Sequence, residues 1–359
     1  MTDAESLPTL RLAARDIPVP TSVSRQAQAV LANGVVEPPI DYPHPDDLEA
    51  WRSLVAAGEA RTPTVASREG VGTAIAGGTD PAVRVDVDEI DAHGVRVYLA
   101  RPEAVAADEH RVHLNIHGGG FINGGGDACR ANAAATAASL RMPVWGIDYR
   151  MPPEHRYPTP LDDCLSAYRF LLQDRDPRDV TVGGISAGGN LAAALILRAR
   201  DEGLPLPAAA ALGTPATDLT GAGDTWQTNR GIDTVLAGDV TRLFRLYAGD
   251  HDLRSPYLSP LFGDLSKGFP PTILVSGTRD VLLSDTVRMH RALRAAGIPA
   301  ELHVFEAAPH GMFLGAAPED LERSHEISRF LNRYTRLRPG ASAAPGSNRH
   351  NTRNTHADQ

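Results

Sequence analysis

Short apolar segments alternate with longer helix-like segments through most of the chain, and this alternation limits the fold more than any other feature. The strand-like segments are Val112 to Ile116, Val144 to Ile147, Val180 to Val182, Ala208 to Leu212, Thr272 to Ser276 and Glu301 to Phe305. The helix-like segments are Asp127 to Leu140, Leu161 to Gln173, Ser186 to Arg200, Ser284 to Ala296 and Glu319 to Tyr334. Strands that alternate with helices form a mostly parallel sheet covered by helices, so the sequence predicts the α/β class.

Two further strands are expected before this alternation begins. Val83 to Ile90 and Gly94 to Ala100 alternate apolar and polar residues, which indicates an antiparallel strand pair. Together the segments predict an eight-stranded, mostly parallel sheet flanked by helices.

Helical segments without strands are expected to cover this sheet as a cap. Residues 1–80 contain two helix-like stretches, Ser22 to Ala32 and Pro45 to Ala60, and no strand pattern. Residues 81–336 form the main domain, which an insertion at about 214–260 interrupts. We therefore expect residues 1–80 to be an N-terminal cap segment and the insertion to be a lid.

The end of the chain differs in composition from the main domain. Residues 337–359 are rich in Gly, Ala, Ser, Asn and Arg and have no apolar periodicity. Such a segment cannot bury enough apolar surface to order itself, so we expect a disordered tail.

Charge and cysteine content exclude several classes of function. The formal net charge of -9 argues against binding of nucleic acid or anionic membranes, because both require a positive field. Cys129 and Cys164 are the only cysteines, too few for a disulfide framework and without the spacing of a metal site.

No apolar run is long enough to span a bilayer, and Met1 to Glu5 lacks the start of a secretory signal. We therefore expect a cytoplasmic protein without stable membrane insertion, acting on a small molecule.

The sequence Gly184-Ile185-Ser186-Ala187-Gly188 follows an apolar strand and precedes an Ala- and Leu-rich helix. A strand, a sharp turn and a helix are the context of a nucleophile elbow, in which small residues surround a strained serine. The alternative is a glycine-rich turn with an exposed serine. The context favours Ser186 as a nucleophile.

A glycine-rich loop, His117-Gly118-Gly119-Gly120, directly follows the strand that ends at Ile116. Unhindered backbone N–H groups in this position can stabilise a developing oxyanion in lipases and esterases. A merely flexible loop is the alternative. For His117 itself we favour a structural role, with the glycines supplying the chemistry.

A serine hydroxyl needs a base, and the base needs an orienting acid, in the chain order Ser, Asp or Glu, His. Asp280 and His310 lie in loops after two successive predicted strands, where such sites are built. Asp285 begins the next helix and is expected to be structural, and Glu306 lies only four residues before His310. Asp280 and His310 are therefore the best candidates for acid and base.

Taken together, these motifs resemble the hormone-sensitive-lipase group of α/β-hydrolases, the bacterial esterases with an HGGG loop, over most of residues 80 to 335. Two further stretches are similar to the DYRLAPEH and DPLxD stretches of that group. They are Asp148-Tyr149-Arg150-Met151-Pro152-Pro153-Glu154-His155 and Asp280-Val281-Leu282-Leu283-Ser284-Asp285. We expect the first stretch to be scaffolding near the site.

The resemblance implies the α/β-hydrolase fold and a role for each matching residue. Ser186 would be the nucleophile, His310 the base and Asp280 the orienting acid. The oxyanion hole would consist of the N–H groups of Gly119, Gly120 and Ala187. Neither a metal nor an organic cofactor is needed for this chemistry, and a homodimer is plausible by resemblance alone.

One position departs from the group, which usually has Asp or Thr where this chain has Ile185. An apolar side chain cannot make the polar contacts of those residues, so support of the elbow is in question there.

We predict a serine carboxylesterase for short- to medium-chain esters. The same residues could instead hydrolyse a lactone, a carbamate or an aryl amide. A non-catalytic small-molecule-binding protein, like the plant gibberellin receptors, is disfavoured because His310 is retained.

Overall fold

The computed structural model describes residues 14, 16–34, 40–61, 83–236 and 238–335. Its eight strands form one sheet in the order β1-β2-β4-β3-β5-β6-β7-β8. The strands are β1 (Val85–Asp91), β2 (Arg96–Pro102), β3 (Val112–Ile116), β4 (Val144–Asp148), β5 (Val180–Ile185), β6 (Ala209–Gly213), β7 (Thr272–Gly277) and β8 (Ala300–Phe305). β2 pairs antiparallel with β1 and β4, and every other pairing is parallel. The predicted eight-stranded, mostly parallel sheet is confirmed.

Helices cover both faces of this sheet. They are α1 (Arg25–Ala32), α2 (Leu48–Arg61), α3 (Asp127–Leu140), α4 (Thr159–Leu171), α5 (Ala187–Asp201), α6 (Thr225–Thr228), α7 (Thr241–Ala248), α8 (Leu283–Ala295) and α9 (Pro318–Tyr334). Alternate residues of β7 belong to different cores, since Leu274 packs with α4, α5 and α8 whereas Ile273 and Val275 pack with α1 and α9. This alternation is what a strand between two helical layers requires.

Strand order brings the functional loops to one edge of the sheet. Chain order reverses around β3, which lies between β4 and β5. Ile116 at the end of β3 is in register with Gly184 of β5, so the loop after β3 and the turn after β5 leave at the same level. Farther along, Gly277 of β7 is in register with Phe305 of β8. Ligands of open α/β sheets bind outside the carboxyl ends of the strands near such a reversal.

The two helices of the predicted N-terminal cap segment have different contacts. The first helix, α1, packs against α9, where the Ser24 hydroxyl and N–H both donate to the Glu319 carboxylate at 2.8 Å. The second helix, α2, places Trp51 in the main core. α7 is linked to the segment before α2 because Arg242 donates to the Tyr42 carbonyl at 2.5 Å. Residues of α2 and α7, but none of α1, line the same cavity, and the proposed domain boundaries stay predictions.

Two further sequence predictions concern the C-terminal tail and membrane-spanning segments. The tail predicted to be disordered, 337–359, lies outside the described residues. Within the described ranges, every helix is too short or too polar to cross a bilayer.

Candidate active site

The turn after β5 has the backbone of a nucleophile elbow. Ser186 has φ 59° and ψ -120°, a strained conformation for a residue other than glycine. Its N–H donates to the Gly213 carbonyl at 2.9 Å, which ties the turn to the neighbouring strand. A Cβ atom at Gly188 would lie 2.0 Å from the Ile116 carbonyl oxygen, so only glycine fits there. The sequence motif thus folds as predicted because its small residues allow the helix to approach β3.

An Asp–His pair lies beyond β7 and β8. His310 Nδ1 is 3.0 Å from Asp280 Oδ1, and both side chains are buried. The carboxylate is held in place by the Ser276 hydroxyl, which donates to Oδ2 at 2.6 Å, and by the Leu282 N–H, which donates to Oδ1 at 2.9 Å. A proton on Nδ1 shared with Asp280 leaves His310 Nε2 as a proton acceptor. The pair therefore has the geometry of a general base and its orienting acid.

The competing acidic residues make other contacts. Asp285 is buried at the start of α8, where its oxygens accept hydrogen bonds from the Asp218 N–H at 2.9 Å and from Trp226 Nε1 at 3.0 Å. Glu306 is exposed. Of the acids considered from the sequence, Asp280 is the one that contacts His310.

A second carboxylate, Asp233, lies beside this pair, and the sequence analysis does not predict it. Asp233 is fully buried in the loop after α6, and its Oδ2 accepts from the Val281 N–H at 2.9 Å. Its Oδ1 accepts from the N–H groups of Val235 at 2.9 Å, Leu236 at 3.2 Å and His310 at 3.3 Å. One carboxylate thus joins the lid insertion to the loop that contains Asp280 and to the loop that contains His310. Its loop has no apolar periodicity, so no pattern in the sequence marks this residue.

The two carboxylates determine the basicity of His310. Burial lowers the pKa of the imidazole, but Asp280 and Asp233 raise it, and the net result is a pKa above the ordinary 6.5. Burial raises the pKa of Asp233 above its ordinary value, and the nearby Asp280 adds to this effect. The site therefore favours the protonated imidazole that forms when His310 accepts a proton.

The glycine loop after β3 presents donors to the same region. Gly119 has φ +109°, and a Cβ atom there would lie 2.1 Å from the Asn123 carbonyl oxygen. Gly120 also has a positive φ, and Ala187 begins α5, where N–H groups have no intrahelical partner. In the described part of the chain, the N–H groups of Gly119, Gly120 and Ala187 donate no hydrogen bond to protein. These are the donors that an oxyanion hole requires.

His117 has the contacts of a structural residue. Its ring stacks on Tyr149 with centroids 4.2 Å apart, and its Nδ1 is 2.8 Å from the Gly118 carbonyl oxygen. Burial lowers its pKa, so the ring is neutral. The Tyr149 hydroxyl donates to the His117 carbonyl at 3.0 Å, and Arg150 forms an ion pair with Asp163 at 2.6 Å. These contacts fit the scaffolding role expected for the stretch that begins at Asp148.

A cavity of about 400 Å³ joins the candidate residues. Ser186, Ala187, His310 and Gly118 to Gly120 line it on one side. On the cap side it is lined mainly by apolar side chains, among them Leu54, Val235, Leu236, Val240, Leu243 and Phe244. Among the described residues that line the cavity, none is Asp, Glu, Lys or Arg. The site is therefore an apolar pocket with the polar groups gathered at one end, as is usual for small-molecule sites.

Known proteins are similar to this chain in sequence and in fold. A family model for the alpha/beta hydrolase fold matches residues 113–314. An acetyl-hydrolase of Streptomyces hygroscopicus is 36% identical over 54% of this chain, and the match spans 65% of that protein. The crystal structure of an esterase, E25, has a TM-score of 0.80 at 34% identity, covering 91% of this chain and 99% of that chain.

A further crystal structure identifies the group. It is an esterase from the bacterial hormone-sensitive lipase family, with a TM-score of 0.69 at 26% identity, covering 87% of this chain and 98% of that chain. The resemblance inferred from the sequence motifs is thereby confirmed. The chain belongs to the α/β-hydrolase fold family, in its hormone-sensitive-lipase group.

Proposed function

We propose that the protein is a serine carboxylesterase that hydrolyses short- to medium-chain esters through an acyl-enzyme on Ser186. Carboxylic-ester hydrolysis is the reaction class of the esterases that it resembles in sequence and structure. One observation carries the assignment of residues. The His310–Asp280 pair, with 3.0 Å between Nδ1 and Oδ1, opens onto the cavity that contains the strained Ser186.

In the first half of the reaction, Ser186 Oγ attacks the ester carbonyl carbon while its proton passes to His310 Nε2. Asp280 stabilises the imidazolium that results, and it keeps its own negative charge. The carbonyl oxygen becomes an oxyanion, which the unpaired N–H groups of the glycine loop and of Ala187 stabilise. The tetrahedral species then collapses, the C–O bond breaks and His310 gives its proton to the leaving alcohol.

In the second half, a water molecule attacks the acyl-enzyme while His310 Nε2 accepts one of its protons. The second tetrahedral species expels Ser186 Oγ, which recovers its proton from His310. The carboxylic acid product leaves, and the enzyme returns to its starting state without any cofactor.

The pocket supports neutral substrates of modest size. A volume of about 400 Å³ is near the lower end of ligand pockets, which span about 300 to 1,000 Å³. Its apolar cap wall favours an uncharged acyl or alcohol group, because a charged group would lose hydration without a partner there. Short to medium acyl chains fit both conditions. A cytoplasmic location and a homodimer stay predictions from the sequence and the resemblance.

A fluorophosphonate probe and a series of p-nitrophenyl esters test this proposal. We expect the unmutated protein to be labelled and to hydrolyse short and medium esters faster than long ones, whereas Ser186→Ala should do neither. Ser266→Ala removes an exposed hydroxyl that does not line the cavity and serves as the matched control. A folded, unmutated protein that neither is labelled nor hydrolyses any ester would contradict the proposal.

A further inference from the structure

A second, smaller cavity of about 70 Å³ lies between the sheet and helices α3 and α9. Residues of β3, β5, β6, α3 and α9 line it, and one of them, Ile185, also lines the ester pocket. Both apolar and polar side chains line it, and none of the proposed catalytic side chains does. With a volume well below the roughly 300 Å³ of small-molecule sites, it cannot hold an ester substrate. It has space for more than one water molecule, which needs about 10 to 15 Å³.

Arg323 of α9 lines this cavity and is only 4% exposed. Its Nε–H has no hydrogen-bond acceptor among the residues that the structure describes. Among the described residues, no carboxylate oxygen lies within 4.0 Å of its guanidinium nitrogens. A guanidinium carries five N–H donors and stays charged in proteins. A buried charge without a partner costs several kcal/mol, so this arrangement calls for a negative counter-charge.

Asp320, one turn before Arg323, does not supply that charge as a close partner. Its Oδ2 accepts from the Ala317 N–H at 3.2 Å, and its Oδ1 has no partner. Burial raises the pKa of Asp320, against the lowering effect of Arg323. Arg323 and Asp320 therefore interact across a distance greater than that of an ion pair, and the cavity side of the guanidinium is left to another anion.

The remaining polar groups of the cavity are neutral. Burial lowers the pKa of His113 to about 3, so its ring carries no charge, and its Nδ1 is 2.9 Å from the Thr181 hydroxyl. The Ser139 hydroxyl oxygen is buried and has no hydrogen-bond partner in the described part of the chain, so the hydroxyl is available as a donor. Among the described lining residues there is no Asp or Glu.

We infer that the cavity beside Arg323 binds one small monovalent anion of the size of chloride. The guanidinium supplies the charge, and the Ser139 hydroxyl supplies a neutral donor. The small volume excludes larger anions such as gluconate. Because α3, α9 and the sheet all contribute to the cavity, a bound anion stabilises the folded chain over the unfolded one.

Thermal unfolding in sodium chloride and in sodium gluconate, at equal ionic strength, tests this inference. At a chloride concentration tenfold above the dissociation constant, we expect the Tm to exceed that in gluconate by about 3 °C. Arg323→Met keeps an unbranched side chain, although a shorter one, and removes the charge, so the two salts should then give the same Tm. Arg294→Met, at an exposed arginine of α8, should keep the full difference. A chloride effect that persists in Arg323→Met would overturn the inference.

Crystals of the unmutated protein soaked in sodium bromide give a test that does not depend on the variant folding. We expect an anomalous peak in the cavity within hydrogen-bond distance of the Arg323 guanidinium. A cavity without such a peak, or a direct Arg323–Asp320 ion pair in its place, would show that the inference is wrong. Neither experiment uses esterase activity, so its outcome is separate from that of the proposed function.

Discussion

The carboxylate of Asp233 joins three loops of the candidate site, and Asp233→Asn tests what this contact contributes. The substitution keeps the shape of the side chain, removes its charge and leaves one acceptor oxygen. Oδ1 accepts the N–H groups of Val235, Leu236 and His310, whereas Oδ2 accepts only that of Val281. We expect the asparagine oxygen to take the position of Oδ1, because three hydrogen bonds are kept there.

The cost in stability follows from the hydrogen bond that is lost. The asparagine amide would face the Val281 N–H, so a donor meets a donor in a buried site. A hydrogen bond to a charged group contributes about 1.5 to 3 kcal/mol. Removal of a buried charge near Asp280 offsets part of this loss, since burial and Asp280 raise the pKa of Asp233. We expect the free energy of unfolding to fall by about 2 kcal/mol, which for a chain of this size is a Tm decrease of about 3 °C.

The pH dependence of activity distinguishes an electrostatic role of Asp233 from a merely structural one. Asp233 is one of the two carboxylates that raise the pKa of His310. Without its charge the pKa of His310 falls, so the base stays neutral to lower pH. The acidic limb of kcat/KM against pH, which reports the free enzyme, should move to lower pH in Asp233→Asn.

The matched control is Asp239→Asn, an exposed aspartate of the same insertion that caps the Thr241 N–H at 3.0 Å. It should leave the acidic limb where it is. An unchanged Tm in Asp233→Asn would refute the hydrogen-bond argument. A lowered Tm with an acidic limb at unchanged pH would show that the charge of Asp233 does not alter the pKa of His310.

Two further predictions concern backbone crowding and a buried acid. Gly188→Ala should lower the free energy of unfolding by about 3 kcal/mol or more, because its Cβ would lie 2.0 Å from the Ile116 oxygen. Gly213→Ala, with no contact closer than 3.4 Å, should be tolerated in the same denaturation assay. Burial raises the pKa of Asp285 from 3.8 to about 7. Its contribution to stability is full below pH 3.8 and is lost as the pH rises through about 7. In denaturant unfolding, the free energy of unfolding of Asp285→Asn should therefore increase relative to that of the unmutated chain as the pH rises from 4 to 8. A difference between the two free energies that does not change with pH would contradict this.

Much of the site was predictable because its residues follow strands that local patterns mark. The glycine loop and the elbow directly follow β3 and β5, and Asp280 and His310 lie in the loops that follow β7 and β8. Parallel strands bring such loops to one edge, so the fold alone places these candidates near each other. The sequence patterns therefore identified the loops of the candidate site, and the structure adds the contact between Asp280 and His310 and the cavity that His310 shares with Ser186.

Residues whose roles depend on distant partners could not be predicted in this way. Asp233 and His310 are separated by 77 residues, and the loop that contains Asp233 has no periodicity to fix its path. Ser24 and Glu319 are 295 residues apart, and their contact directs α1 to α9 rather than to the pocket. Arg323 lies on an ordinary amphipathic helix, and nothing local shows that it lines a buried cavity. Each of these contacts depends on tertiary packing, which local patterns do not encode.

Ile185 was the position where the sequence departed from its group, and the structure explains how the elbow forms without a polar side chain there. The elbow is held by backbone groups, since the Ser186 N–H donates to Gly213 and Gly188 packs on the Ile116 carbonyl. Ile185 instead contributes to the wall of the ester pocket and to the wall of the small cavity. An isoleucine keeps that wall apolar and offers no carboxylate to Arg323. In the anion site inferred above, the counter-charge of this arginine comes from solution, and the apolar side chain at position 185 leaves room for it.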